Sequence, residues 1–231
     1  MKIKTIAASF AALMATTVAT AQTEIETSAG VDLVSSYIWR GQDLGGVSIQ
    51  PALGVSYKGL SLDAWGSVAL SDEAQNTKEF DLTLKYTTGG FSIGVTDYWF
   101  GGTDYGHYSS KSTSHVWEAG IGYDFGVVAL NAYTNFAGAD GVNKDGKRAY
   151  STFITASAPF KLGGLEWTAT ISAVPFATSF YQNANGFAVT EIGLGAKKDI
   201  KISESFKIPV FCKAIVNPST EGAYFVAGIS L

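Results

Sequence analysis

One cysteine, two histidines and sparse charge set this chain apart by what it leaves out. Cys212 alone can form no internal disulfide and has no partners for a thiolate metal site. No segment approaches the roughly 20 apolar residues of a membrane-spanning helix, which excludes a helical inner-membrane protein. Lys and Arg are few and, after an N-terminal pair, fall to 14 against 20 acidic residues. That balance excludes a nucleic-acid surface, which needs clustered positive charge. Lys197, Lys198 and Lys201 do gather, but they read as a solvated turn. A phosphate-binding glycine loop, a metal-ligand cluster and an acid pair at defined spacing are all missing. The expectation is therefore a protein without cofactor and without enzymatic activity.

What is present begins with a secretory signal. Lys2 and Lys4 precede a mostly apolar stretch from Ile6 to Val18, and Ala19-Thr20-Ala21 is a small-residue cleavage site. Residues 1–21 read as a signal peptide, and 22–231 as one domain without a linker, charge block or low-complexity stretch.

That domain carries a period of two. Val47, Ile49, Leu53, Val55 and Tyr57 share one parity, and Ser48, Gln50, Gly54, Ser56 and Lys58 the other. Ten such residues describe a strand with one apolar and one polar face. The pattern recurs about twelve times. The first strand ends at Trp39; then follow Val47–Lys58, Leu60–Leu70, Glu79–Tyr86, Phe91–Phe100, His115–Phe125, Val127–Phe136, Arg148–Phe160, Leu165–Val174, Phe187–Ala196, Phe206–Val216 and Ala223–Leu231. Tight turns around Gly59, Gly89-Gly90, Gly126 and Gly163-Gly164 alternate with longer links such as Gly101–Ser114 and Ala177–Gly186. The link Lys197–Ser205 is longer than that alternation calls for. Long loops at one end and short turns at the other describe an all-β, antiparallel, up-and-down barrel of an outer membrane.

Aromatic residues of the apolar parity fall in two bands. Tyr37, Trp39, Trp99 and Trp117 lie toward the long-loop ends, and Tyr57, Tyr86, Phe91, Tyr123, Phe160 and Trp167 toward the short-turn ends. Such bands are expected at the two membrane interfaces. The last strand alternates through Ala223, Phe225, Ala227, Ile229 and Leu231, ending without the usual aromatic residue. Cys212 shares the outward parity of Ile208 and Val210, as a small wall residue. A soluble sandwich or ligand-binding barrel would also alternate, because periodicity alone does not say what the apolar face meets.

Val34-Ser35-Ser36-Tyr37-Ile38-Trp39-Arg40-Gly41, followed by Pro51 and Trp65-Gly66-Ser67, resembles the opening of the TorF-type porins of Gram-negative bacteria. The resemblance covers about the first forty mature residues, and it implies an outer-membrane location and a barrel, not a substrate. Pro51, without an amide donor, calls for a bulge if it lies mid-strand.

Inward parity then selects candidates for lining a pore. Arg40, Gln50, Asp81, Glu118, Glu191, Lys213 and Tyr224 fall in the outer half. Closure of the barrel suggests Arg40 near Tyr224 and Lys213, with Asp81, Glu118 and Glu191 across the lumen. Opposed charges of that kind orient polar solutes and set ion preference. Passive diffusion of ions or small polar solutes is the expected function, with membrane lipid and the barrel-assembly machinery as partners. A structural or adhesive barrel whose charges pair and fill the interior is the alternative. A lipid hydrolase is a lesser one, resting on His107-Tyr108-Ser109, where a histidine could activate a nearby hydroxyl.

Overall fold

The computed structural model describes residues 25–71, 77–109, 112–182, 184–204 and 206–231; the expected signal peptide, residues 1–21, lies outside them. Fourteen strands form: β1 (Ile25–Val34), β2 (Tyr37–Trp39), β3 (Gln42–Gly45), β4 (Ser48–Tyr57), β5 (Leu60–Ala69), β6 (Glu79–Thr88), β7 (Phe91–Trp99), β8 (His115–Asp124), β9 (Ala129–Gly138), β10 (Thr152–Leu162), β11 (Leu165–Val174), β12 (Ala188–Lys201), β13 (Lys207–Asn217) and β14 (Gly222–Ser230). Twelve of them close into one antiparallel barrel, in which β1 pairs with β4, each later strand pairs with the next in the chain, and β14 returns to β1. β2 and β3 pair only with each other.

The barrel turns its apolar parity outward. Leu53 is 62% exposed and Ile171 52%, whereas inward-facing Ser67 and Glu118 are 1% and 2% exposed. A soluble sandwich would bury the first set and expose the second, so the single closed sheet and its inverted burial exclude it. Tyr57, Tyr86, Tyr123 and Phe160 lie on the exterior at the short-turn end, as expected of an interfacial band.

Two-residue turns close three of the hairpins at that end. Lys58-Gly59, Gly89-Gly90 and Gly163-Gly164 all have positive φ at both positions, the geometry whose twist matches that of paired strands.

Three expectations need correction. Lys197, Lys198 and Lys201 are not in a turn, because β12 runs on to Lys201 and pairs through Lys201↔Lys207. The long link shrinks to residues 202–206, and these lysines stand on a rim where both strand faces are solvated. Pro51 sits in β4 without a bulge: the register with β1 is unbroken, and pairing with β5 passes from Ile49↔Val68 to Ala52↔Trp65. The ladder lapses there instead of shifting.

The third correction matters most. The first barrel strand ends at Val34, not Trp39, and Tyr37 and Trp39 are not lipid-facing. They belong to the β2–β3 hairpin, whose side chains pack on residues of the inner wall.

Candidate functional site

Arg40 and Gly41 form the tip of the inward hairpin, with φ of 53° and 78°. Trp39↔Gln42 closes the turn and Ile38↔Asp43 continues it, with a bulge before Tyr37↔Gly45. Glycine at position 41 is required twice over. Its φ disfavours a side chain, and a Cβ there would coincide with the Thr190 carbonyl oxygen on β12. Asn217 of β13 fastens the same tip, donating from Nδ2 to the Gly41 carbonyl at 3.0 Å and to Gln182 Oε1 at 2.7 Å.

The Arg40 guanidinium is held on all sides. Nη1 donates to Glu118 Oε2 and to the Tyr181 hydroxyl, and Nη2 donates to Glu118 Oε1 at 2.8 Å. Tyr98 completes the set by donating its hydroxyl to Glu118 Oε1 at 2.9 Å. Trp39, Tyr133 and Phe153 place their rings 4.3, 4.7 and 4.7 Å from the guanidinium carbon. Such contacts contribute about 0.5–2 kcal/mol each, the upper end where water is excluded. The two-pronged ion pair and the extra hydrogen bonds offset the desolvation of both charges. Burial pushes the Tyr181 phenol above its ordinary range despite the opposing charge of Arg40, so the ring stays neutral as it accepts from the guanidinium.

Two apolar clusters seat the rest of the hairpin. Trp39 packs with Phe153, Val174, Tyr181 and Ala184, and Phe180 meets it edge-on at 6.2 Å. Tyr181 and Phe180 come from the loop after β11, which therefore also folds inward. Ile38 packs on Val34, Ile215 and Val226 of β1, β13 and β14. Tyr37 donates its hydroxyl to Glu79 Oε2 at 2.9 Å, and its ring lies 5.5 Å from Trp65. The outer half of the lumen is thus filled by a plug spanning from β5 and β6 to β13.

The residues selected from parity all lie on the inner wall or at the hairpin tip, in arrangements other than those expected. Arg40 meets Glu118, not Tyr224 or Lys213. Lys213 instead donates to Glu191, its neighbour on the adjoining strand. Tyr224 packs beside Ile38. Gln50 donates to Ser67 Oγ at 3.3 Å. Asp81 lies two residues from Glu79 on the same face, and one oxygen of each, Asp81 Oδ1 and Glu79 Oε1, is buried without a hydrogen-bond partner. Parity missed Tyr37, Trp39 and Tyr181 of the plug and Tyr98, the β7 wall residue that bonds Glu118 beneath it.

Below the plug lies a cavity of about 100 Å3, bounded by β6 to β9 and lined by Thr83, Lys85, Thr96, Glu118, Asp124 and Asn131 among others. Among the described residues, no three His, Cys, Asp or Glu side chains gather as metal ligands.

His107 does not pair with Ser109; its Nε2 lies 3.0 Å from Ser112 Oγ, in the exposed loop after β7. That loop folds over the outer wall. There His115 Nδ1 meets Asp97 Oδ1 at 2.8 Å, and Tyr108 donates to Asp97 Oδ2 at 3.0 Å.

Residues 18–209 match the family described as "Bacterial protein of unknown function (Gcw_chp)". The chain belongs to the Gcw_chp family. No curated protein matches it. Among solved structures it is similar to a Rhodopseudomonas blastica porin mutant, with 16% identity over 90% of this chain and 73% of that one and a TM-score of 0.43. It is also similar to Pseudomonas aeruginosa OccK2 (OpdF), at 13% identity over 92% of this chain and 68% of the other, TM-score 0.33. The third is a loop-deletion mutant of OmpT, an outer membrane protein of Vibrio cholerae, at 10% identity over 89% and 97%, TM-score 0.34. These likenesses concern chain path alone.

Proposed function

We propose that this Gcw_chp protein is an outer-membrane barrel that passes ions or small polar solutes by passive diffusion once its inward hairpin moves aside. The exposed apolar exterior supports membrane insertion, since exposing that belt to water would invite aggregation. The signal segment and the resemblance of residues 34–41 to TorF-type porins favour the outer membrane. Lipid and the barrel-assembly machinery are then its partners, and the reading includes no enzymatic step.

One observation carries the channel reading. The inner wall carries buried polar side chains, among them Ser67, Glu79, Glu118, Asn135, Ser157 and Glu191, yet its closure comes from a hairpin inserted between two wall strands, not from the wall itself. A barrel serving only as a scaffold has no need of a polar interior behind a separate stopper. The opposite reading, a structural barrel, draws on the completeness of the Arg40 contacts, which hold the closed state firmly.

Planar-bilayer recording separates the two. Wild-type protein should show rare, small currents, and replacing residues 37–45 by a short Gly/Ser link should give steady conductance. Reversal potential in a salt gradient then reads the charge preference. A silent bilayer with both proteins, each shown to be folded, would leave the structural barrel.

A further inference from the structure

The cavity beneath the plug has a composition that points to a ligand. Its walls are hollowed by missing side chains. Gly94 and Gly120 face each other across β7 and β8, and Gly122 lies opposite Ser92. All three have inward parity. A Cβ on Gly120 would sit 2.9 Å from the Tyr133 ring, and one on Gly122 would run into the Asn131 amide. Tyr133 and Asn131 therefore lie close over a glycine floor and bound the space.

Besides Glu118, which Arg40 already pairs, two opposite charges line this space without meeting each other. Lys85, on β6, is joined to none of the described carboxylates by a salt bridge, although Asp63 stands nearby on β5. Asp124, at the end of β8, accepts from the Gly126 amide at 2.7 Å through Oδ1, leaving its second oxygen available. Lys85 pairs in register with Gly94, and Gly94 with Gly120. The backbones at Lys85 and Asp124 are thus two strand spacings and four residues apart, about 10 Å across and about 13 Å along. That is too far for direct contact, but a small solute could bridge the two side-chain ends. Between their rows stand the hydroxyls of Thr87 and Ser92 and the amide of Asn131, whereas Thr83 and Thr96 lie beyond Lys85 and bond each other.

We infer that this recess binds a small zwitterion of the amino-acid class, its carboxylate toward Lys85 and its ammonium toward Asp124. Two opposite charges in one recess match a solute carrying both, whereas a simple anion or cation is held at one end only. The hydroxyls and amide supply uncharged donors and acceptors for the solute's middle. A space of about 100 Å3 is enough for a molecule the size of alanine. The inference rests on the barrel reading but not on conduction, since the recess lies on the short-turn side of the plug.

Saturation-transfer NMR on the full-length mature protein in detergent micelles tests it, with alanine, acetate and methylammonium as separate probes. Alanine should bind saturably, and each single-charge probe about tenfold or more weakly. Lys85→Gln and Asp124→Asn should each weaken alanine to a similar degree while leaving the heat-modifiable gel shift of the folded barrel unchanged. Gly120→Ala, which crowds Tyr133, should reduce binding without altering charge. Acetate binding as tightly as alanine would replace the zwitterion with a plain anion. Alanine binding that ignores Lys85→Gln, or no binding at all, would overturn the proposal. A barrel that binds alanine yet carries no current would keep this site and remove the channel, so the two readings fail separately.

Discussion

Arg40 and Glu118 lie 78 residues apart in the chain and meet as a two-pronged ion pair inside the barrel, the arginine from a hairpin tip and the glutamate from the wall. The pair joins the plug to β8. Both side chains are buried, at 9% and 2% exposure. Neither charge can be removed without stranding the other.

This makes the energetics of the pair strongly non-additive. Arg40→Met should cost about 3–5 kcal/mol, because Glu118 is left charged in a site that excludes water. Glu118→Gln should cost less, since the amide oxygen still accepts from the guanidinium. The double substitution should cost well below the sum of the two. Denaturant unfolding of the four proteins in lipid vesicles gives the coupling energy, and simple additivity would show that the pair contributes nothing to holding the plug.

Gly41→Ala should unseat the hairpin while sparing the wall. The new methyl group occupies the place of the Thr190 carbonyl and meets an unfavourable φ, so the tip must back away from β12. The expected result is steady bilayer conductance with little change in the folded barrel's gel migration. A wild-type current record from Gly41→Ala would mean that the tip can shift without opening a path.

The wall was legible in the sequence because a lipid-facing sheet leaves a strict record. Leu53, Leu62 and Ile121 must face out, and their partners in parity must face in. The hairpin was not, because Tyr37 and Trp39 continue the parity of Leu33 and look like one more girdle. A usable signal was present all the same. Arg40-Gly41 has the same chemical form as Lys58-Gly59, a basic residue then glycine, and both make two-residue turns with positive φ throughout. The partners of Arg40 could not be read at all. Which of Glu118, Glu191 and Asp81 it meets depends on where the hairpin lands across the lumen, and parity carries no information about that.

Asp81→Asn should stabilise the barrel. Asp81 and Glu79 share one face of β6, are almost fully buried, and each leaves an oxygen without a donor. Two carboxyl groups neighbouring each other in a site without water cannot both carry charge, and each unpaired oxygen is costly. An amide at 81 cannot ionise and supplies N–H donors on the face it shares with Glu79. A gain of about 1–2 kcal/mol in unfolding free energy is expected. Destabilisation would imply that a bound cation or proton network already satisfies the pair.

The loop after β7 should be released by substitutions on the outer wall that leave the lumen untouched. Asp97 points outward from its strand, where an uncovered carboxylate facing lipid is unfavourable, yet it is 5% exposed. The loop covers it: Tyr108 donates to Oδ2 and stacks on His115 at 3.9 Å, and His115 bridges from Asp97 to the Tyr105 carbonyl at 2.6 Å. Trp99 adds a bond from its indole nitrogen to the Thr103 carbonyl at 3.1 Å. Asp97→Ala removes two of these contacts together and leaves the His115 ring nitrogen unpaired, a loss of about 1–3 kcal/mol from the closed loop. Tyr108→Phe removes only one and keeps the stacking. Proteinase K added outside intact vesicles should therefore cut within residues 101–114 about tenfold faster in Asp97→Ala and only slightly faster in Tyr108→Phe. Conductance should not change in either, because the loop lies against the exterior of the wall. Equal cleavage rates in all three proteins would show that the loop is held by the membrane surface and not by Asp97.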